Sequence, residues 1–402
     1  MIDACDGCLR RGYLIGRLAG AIAGPLDHRR RRRAPGLLAL EEDKLIAAVA
    51  GDAADEVQAF LEAFDPMAAR ERLDVLSLGA VCRHAAGYPQ PLLELDDPPA
   101  VLFTAGASGG LTPLAAEPAA VALVGTRNPS PYGLEMAYEL GRGLGAAGVT
   151  VVSGLALGID AAAHRGCIDA GGPAVAVLAG GPDVPYPLTN RRLYGRIRAG
   201  GTVISELPPG QRAYRWAFPA RNRIMAGLAA VTVVVEAANP SGSLITSVFA
   251  ADLGRTVGAV PGRVTSRFSA GSNKLLADGA RVVTCAQDLL DELYGVGSPG
   301  PRGAVPQGPR GTGEPPAGAD PGPASPPHPV PEGHSPASAL DPVRERVLDA
   351  VEAGLGIDGV CAHSGLPAKE ARALLARLEA SGHLRRDGLG GYRRSASTAR
   401  TR

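Results

Sequence analysis

Short runs of apolar residues, many of them β-branched, alternate with longer amphipathic segments through the middle of the chain. These runs are VALVG at 121–125, VTVVSG at 149–154, AVAVLAGG at 174–181, GTVISE at 201–206, VTVVVEA at 231–237, TVGAVPG at 256–262 and RVVTC at 281–285. Continuous apolar strands separated by helices are typical of a parallel sheet that is covered on both faces. The pattern therefore predicts an α/β fold, an extended Rossmann-like, doubly wound domain over residues 86–296.

Glycine or a small polar residue follows several of the predicted strands, as at Gly125, Gly154, Gly180 and Ser241. In doubly wound sheets the ligand crevice lies beyond the carboxyl ends of the strands, where backbone N–H groups and helix N-termini bind phosphate. The sequence thus predicts an anion-binding crevice at this edge, with Lys274 as a further point charge.

Both flanks of this region differ from it in composition. Residues 1–85 show helical spacing, and residues 297–340 contain 13 of the 35 prolines, which predicts a disordered linker. Residues 341–396 are predicted to form three helices and a hairpin, the order of a winged helix. Glu370 and Glu379 make the third helix less basic than that of a strong DNA reader, so DNA contact and protein docking both stay open.

The formal charge of +1 over 402 residues hides opposed patches. Residues 41–74 contain ten acids against three bases, whereas residues 191–223 contain eight arginines against one acid. Tyr186, Tyr194, Tyr214, Trp216 and Phe218 lie in or next to the basic stretch. Arginine beside exposed rings is typical of a single-strand groove, in which guanidinium groups contact phosphates and bases stack on rings. The alternative is that Trp216 and Phe218 are core and the arginines lie on solvated helix faces.

Six cysteines over 402 residues are too few for a disulfide scaffold, and no uncharged apolar stretch is long enough for a membrane span or signal peptide. A cytoplasmic chain with no membrane partner is the expectation. Cys5, Cys8, Cys82 and His84 together form a zinc-ligand set. Nothing in the sequence brings the two pairs together, so unpaired reduced thiols and no metal are predicted.

Two loops have residues that could support chemistry. The turn Gly125-Thr126-Arg127 has neither a GxGxxG fingerprint nor a Walker A lysine, so no nucleotide cofactor is predicted. Ser153, Asp160 and His164 together suggest a hydrolase, but the GxSxG elbow is absent, which favours capping and pocket-lining roles.

The motifs VGTRNPSPYG, VSGLALGIDAAAHRG, VLAGGPDVPYPLTN, ISELPPG, FPARNRIMAGL, VVEAANPSGSLITS and GSNKLLADGA appear in one order between residues 121 and 280. This stretch closely resembles the DNA-processing protein A family, also called Smf. The resemblance implies a non-enzymatic protein, usually a homodimer, that binds incoming single-stranded DNA during natural transformation or recombination and loads the RecA recombinase. It also implies a sterile-alpha-motif-like N-terminal domain and a C-terminal winged helix.

Carried onto this chain, the family's DNA contacts fall on arginines and a phenylalanine, with supporting pocket positions around them. The predicted contacts are Arg127, Arg215, Phe218, Arg221 and Arg223, and the supporting positions are Ser153, Gly154, Asp160 and Lys274.

Two other functions stay open from the sequence. One is a Rossmann-like phosphoribohydrolase acting on nucleoside monophosphates, although Glu236 is not preceded by the PGGxGT-type loop of those enzymes. The other is a winged-helix transcription factor with a ligand-sensing domain, which would bind duplex DNA.

Overall fold

The computed structural model describes residues 2–22, 34–106, 120–301, 342–352 and 357–367, and single residues or short runs at 370–371, 374–375, 378, 384–386 and 392–394. The chain divides into one unit over Met1–Thr312 and a second over Gly313–Arg402. The predicted linker beyond residue 301 and the predicted hairpin turn at 387–388 lie outside the described residues.

The first unit is built on a ten-stranded sheet. Its strands are β1 (Ile2–Asp3), β2 (Leu78–Cys82), β3 (Val101–Gly106), β4 (Ala120–Val124), β5 (Thr150–Ser153), β6 (Ala174–Val177), β7 (Thr202–Ser205), β8 (Val231–Val234), β9 (Thr256–Ala259) and β10 (Arg281–Val282). They lie in the order β1-β2-β3-β7-β6-β5-β4-β8-β9-β10. β3 is antiparallel to both of its neighbours, and every other pair is parallel.

Twelve described helices surround this sheet. They are α1 (Asp6–Ile22), α2 (Ala34–Leu38), α3 (Glu42–Val49), α4 (Ala54–Glu62), α5 (Pro66–Val75), α6 (Pro131–Ala147), α7 (Ile159–Asp169), α8 (Arg191–Gly200), α9 (Ala217–Leu228), α10 (Ser243–Asp252), α11 (Ala270–Ala277) and α12 (Ala286–Tyr294). Short 3-10 turns lie at Gly51–Ala53, Gln90–Glu94 and Leu188–Asn190.

Alternate residues of the central strand β4 face opposite layers of helices. Val121 and Leu123 pack in a cluster with α6, α7 and α12, whereas Ala122 and Val124 pack in another with α9. All five residues of β4 are buried, because both faces of the sheet are covered. The predicted doubly wound, mostly parallel α/β fold is confirmed.

The N-terminal helices do not form a core of their own. β1 and β2 belong to the same sheet as the central strands, and Leu14, Leu18 and Ile22 of α1 share a buried cluster with Trp216. The apolar face of α1 is therefore buried against the central region.

The second unit contains α13 (Pro342–Glu352), α14 (Ile357–Ser364), helical residues between 370 and 378, and the antiparallel strands β11 (Leu384–Arg386) and β12 (Tyr392–Arg394). Val347, Val351, Val360, Leu375 and Leu384 bury their side chains in one cluster. The predicted winged-helix order is confirmed. Among the described residues of both units, no helix has the length and apolar character to span a bilayer.

Candidate nucleic-acid interface

A crevice of about 1000 Å³ lies where the strand order reverses. β4 has β5 on one side and β8 on the other. The crevice is lined by residues at or after the ends of these strands, at positions 124–127, 156, 238 and 240–243. Chain segments leave a switch point in opposite directions, which opens a cleft at the carboxyl ends of the strands. The crevice therefore lies where the sequence predicted it.

The wall of the crevice is cationic. Arg127 follows β4, Arg212 and Arg215 precede α9, and all three side chains are exposed. Asp160 is the one carboxylate among the described residues that line the crevice, and it is buried beside Arg221. The exposed charge is therefore positive, which favours a polyanion.

Aromatic rings lie among these arginines. The Phe218 ring is 4.9 Å from the Arg127 guanidinium carbon, and its centroid is 5.5 Å from that of Tyr186. Tyr186 is 47% exposed, and Arg212 lies 5.0 Å from the Tyr214 ring. The rings and guanidinium planes form a surface on which a base can stack.

Arg221 forms the floor of the crevice and not its surface. It is buried, and its guanidinium donates to the carbonyls of Gly154 and Val177 at the ends of β5 and β6. A Cβ on Gly154 would overlap that guanidinium, which explains the glycine. Burial lowers the pKa of Arg221 to about 10, so the group is still charged at neutral pH.

Arg223 lies outside the crevice, contrary to the predicted DNA contact. Its side chain is 1% exposed and pairs with Asp97 at 2.9 Å and Glu206 at 2.8 Å. Burial alone would lower the pKa of Arg223, but these carboxylates raise it. Two residues along a helix project about 200° apart, so only one of Arg221 and Arg223 can face the crevice.

Ser153 and His164 are completely buried and do not line the crevice. The Ser153 hydroxyl donates to the Leu123 carbonyl at 2.6 Å, which joins β5 to β4. Asp160 accepts from the Gly154 amide at 3.1 Å, and burial raises its pKa. A nucleophilic serine needs access to a substrate carbonyl, so the hydrolase interpretation is wrong for this trio.

The burial of His164 predicts a pH-dependent stability. Burial lowers the pKa of this imidazole to about 4, below its value of about 6.5 in an unfolded chain. The neutral form contributes stability above pH 6.5, and this contribution is lost as the pH falls to about 4, up to about 3 kcal/mol. We expect His164→Asn to shrink the acid-induced loss by that amount relative to the parent, as measured by urea unfolding at pH 7, 5.5 and 4.5. An unchanged difference between the two proteins across this range would contradict the assignment.

Three helix N-termini lie near the crevice, and two already hold a carboxylate. Asp160 accepts from the backbone before α7, and Glu236 accepts from the amide and hydroxyl of Ser130 at the start of α6, both at 2.7 Å. α10 begins after Gly242, which provides no side-chain cap, and the Ser241 and Ser243 hydroxyls lie 2.8 Å apart at its start. The α10 N-terminus is thus the one of the three with room for a phosphate.

The arginines of the basic stretch at 191–223 lie on the surface, in the protein interior and along the crevice. Arg196 pairs with Asp169 on the surface, and Arg221 and Arg223 are buried. Of the exposed arginines in this stretch, only Arg212 and Arg215 line the crevice. Trp216 is buried, and its indole donates to the Ala19 carbonyl at 2.8 Å, so the core interpretation is right for this ring.

Lys274 pairs with Asp278 at 2.9 Å on α11 and does not line the crevice. Five other lining residues are not among the contacts carried over from the family, although their place at a strand end or in the basic, aromatic stretch indicated them. These residues are Tyr186, Arg212, Tyr214, Ser241 and Ser243.

A second cavity, of about 450 Å³, has the opposite character. Glu94, Asp96, Asp97 and Asp252 line it. Carboxylates repel phosphate, so this cavity does not extend the cationic surface.

Comparison with known proteins gives matches over both units. The family described as DNA recombination-mediator protein A matches residues 79–294, and the DprA winged helix domain matches residues 330–388. The putative DNA processing protein DprA of Mycobacterium tuberculosis is 48% identical over 180 residues, 45% of this chain and 46% of the relative. The match therefore spans about half the length of that relative.

Two further matches cover more of the known protein. The DNA processing protein DprA of Bacillus subtilis is 40% identical over 206 residues, 51% of this chain and 68% of the relative. The X-ray structure of DNA processing protein A from Streptococcus pneumoniae is 30% identical, covers 71% of this chain and 96% of that chain, and superposes with a TM-score of 0.55.

Proposed function

Because the chain belongs to the DNA recombination-mediator protein A family, we propose that its function is to bind single-stranded DNA in the crevice at the switch point. The observation that carries this proposal is that three exposed arginines line the same crevice as a half-buried ring. The arginines are Arg127, Arg212 and Arg215, and the ring is Phe218, on which Arg127 lies. The guanidinium groups contact phosphates, and a base stacks on the ring. Arg221, Gly154 and Asp160 support this surface from below.

Binding of this kind is independent of base sequence and sensitive to salt. Every base has a face that stacks, and the phosphate contacts release counterions. The test is a fluorescence anisotropy titration of the full chain with a labelled oligo(dT), its mixed-sequence counterpart and the matching duplex, each between 50 and 300 mM salt. Equal affinity for the two single strands, weaker duplex binding and a linear fall of log K with log salt are expected. Tighter binding to one duplex sequence would instead support the transcription-factor alternative.

The Phe218 ring provides a test of stacking that is separate from charge. Phe218→Ala is expected to weaken oligo(dT) binding by about 1–3 kcal/mol with an unchanged salt slope, because no phosphate contact is lost. Phe218→Trp is the matched control, since it keeps a stacking surface. Equal losses in both variants would mean that the ring packs the crevice and does not meet a base.

We further propose that the chain acts in the cytoplasm as a homodimer that loads RecA onto the bound strand in transformation or recombination. The family resemblance supports this step. The test is RecA filament assembly on single strands that are precoated with single-strand-binding protein, with and without the chain. Sedimentation equilibrium of the chain alone tests the dimer. No acceleration of filament assembly would refute the loading role and leave the DNA-binding proposal standing.

We propose that this function involves no catalysis. Glu236, the acid considered for a phosphoribohydrolase, uses both carboxylate oxygens to hold the start of α6. It is 3% exposed, which leaves it no contact with a substrate. Release of free base from nucleoside monophosphates by the purified chain would overturn this part of the proposal.

A further inference from the structure

Two cysteine-containing segments, separated by more than 70 residues in the sequence, meet at one end of the sheet. β1 pairs in parallel with β2, with Ile2 opposite Ala80 and Asp3 opposite Val81. The chain that leaves β1 therefore meets the end of β2. This register brings Cys5 and Cys8 next to Cys82 and His84, and the sequence alone gave no reason to expect it.

The four side chains converge on one point. One ligand atom from each, a sulfur or a ring nitrogen, lies within 4.8 Å of all the others. His84 Nδ1 is 3.5 Å from Cys5 Sγ and 3.4 Å from Cys8 Sγ. Zinc bonds of about 2.3 Å to sulfur and about 2.0 Å to nitrogen, at a tetrahedral angle, put these atoms about 3.5 Å apart. The spacing is that of a zinc site.

The surroundings also suit a metal. Cys8 and Cys82 are 4% and 2% exposed, whereas Cys5 and His84 are exposed, so two ligands lie inside and two face the solvent from which a cation enters. The backbone amide of Cys5 points at Cys82 Sγ, 3.4 Å away. Such N–H contacts stabilise a metal-bound thiolate. In the described part of the chain this is the one cluster of three or more His, Cys, Asp or Glu side chains with ligand spacing.

We propose that Cys5, Cys8, Cys82 and His84 bind one Zn²⁺ in a closed, structural site. Three sulfurs and one nitrogen complete a tetrahedron and leave no position for a substrate or water. The metal binds the start of α1 and the end of β2 together. α1 in turn accepts the Trp216 indole at Ala19, beside the wall of the crevice. The thiols are then zinc ligands and not unpaired cysteines.

The first experiment measures stoichiometry and ligand type in the full chain. The chain is purified under reducing conditions, stripped of metal with a chelator and reloaded with Zn²⁺. The number of Zn²⁺ ions per chain is then measured by elemental mass spectrometry. Co²⁺ loading is followed by absorbance. One equivalent of Zn²⁺ is expected, and the Co²⁺ form should show the sulfur-to-metal charge-transfer and d–d bands of a tetrahedral thiolate site.

Variants at exposed positions separate metal binding from folding. Loss of a group that hydrogen-bonds a metal ligand lowers metal affinity about 10- to 100-fold. Cys5→Ser and His84→Ala each remove a ligand itself, so each should lower Zn²⁺ affinity by at least that factor. His84→Cys should keep one equivalent, because a fourth thiolate replaces the imidazole. Cys285→Ser, at an exposed cysteine far from the site in sequence, should keep one equivalent and serves as the control.

Thermal unfolding gives a second readout. Zn²⁺ should raise the melting temperature of the parent and of His84→Cys, and leave that of Cys5→Ser unchanged, because only the folded site binds metal. Substoichiometric Zn²⁺ in a folded parent with free thiols would overturn the proposal. So would a Cys5–Cys8 disulfide that forms equally well with Zn²⁺ present, or a Co²⁺ spectrum without sulfur charge transfer.

Discussion

Replacing Arg127, Arg212 and Arg215 together by alanine is expected to weaken single-strand binding by at least about 100-fold at 0.1 M salt, since each charge-assisted contact contributes on the order of 1–2 kcal/mol. Three phosphate contacts also account for a salt slope of about 2, because each contributes about 0.7 for single strands. The variant should therefore bind more weakly, and the slope of log K against log salt should become shallower at the same time. All three side chains are exposed, so the fold should be unaffected.

The matched control removes the same charge from another surface. Arg191, Arg192 and Arg196 are exposed on α8 and do not line the crevice. Alanine at these three positions lowers the net charge equally but leaves the crevice intact, so affinity and slope should stay close to the parent. Equal losses in the two triple variants would show that binding follows overall charge and not the crevice.

Arg223→Met is expected to destabilise the first unit by about 3–5 kcal/mol, because it leaves Asp97 and Glu206 buried without their counter-charge. Burial raises the pKa of Asp97 to about 6, although the positive charge of Arg223 lowers it in part. Removing Arg223 should therefore raise the pKa of Asp97 further. A carboxyl whose pKa is raised on folding contributes stability at low pH that is lost as the pH rises through the folded value. The variant should therefore be closer to the parent at pH 5 than at pH 8, as measured by urea unfolding.

A second variant distinguishes this buried ion triad from a DNA contact. Arg223→Met combined with Asp97→Asn and Glu206→Gln leaves no charge at this triad and should recover most of the lost stability. At low temperature, where the single variant is folded, its affinity for oligo(dT) should equal that of the parent. If a folded Arg223→Met chain binds oligo(dT) more weakly than the parent, Arg223 is a DNA contact and the buried-triad interpretation is wrong.

The sequence was sufficient for the sheet and the place of the crevice. Continuous apolar strands indicate a covered parallel sheet, and glycine after β4 and β5 marks the strand ends where ligands bind. Arg127 follows directly from this logic, because it lies two residues after Gly125 and has no alternative partner in the same turn. The winged helix followed from helical spacing in the same way.

The roles of individual arginines could not be read from the sequence. Arg221 and Arg223 lie two positions apart in one motif, yet Arg221 binds strand-end carbonyls and Arg223 binds two carboxylates. Those carboxylates come from Asp97 and Glu206, which are distant in sequence from each other. Whether a cation is free for DNA depends on such long-range partners, and a local charge count treats every arginine alike. The meeting of Cys5 with Cys82 depends likewise on the register of a two-residue strand.

The shape of the sheet also limits how two copies of this chain can associate. Its outermost strands, β1 and β10, are two residues each, so in the described part of the chain each border offers few backbone groups for another strand. Long exposed borders invite strand addition and aggregation, and short ones resist both. A dimer of this protein is thus expected to form through side-chain packing between surfaces, and a continuous intermolecular β-sheet is disfavoured.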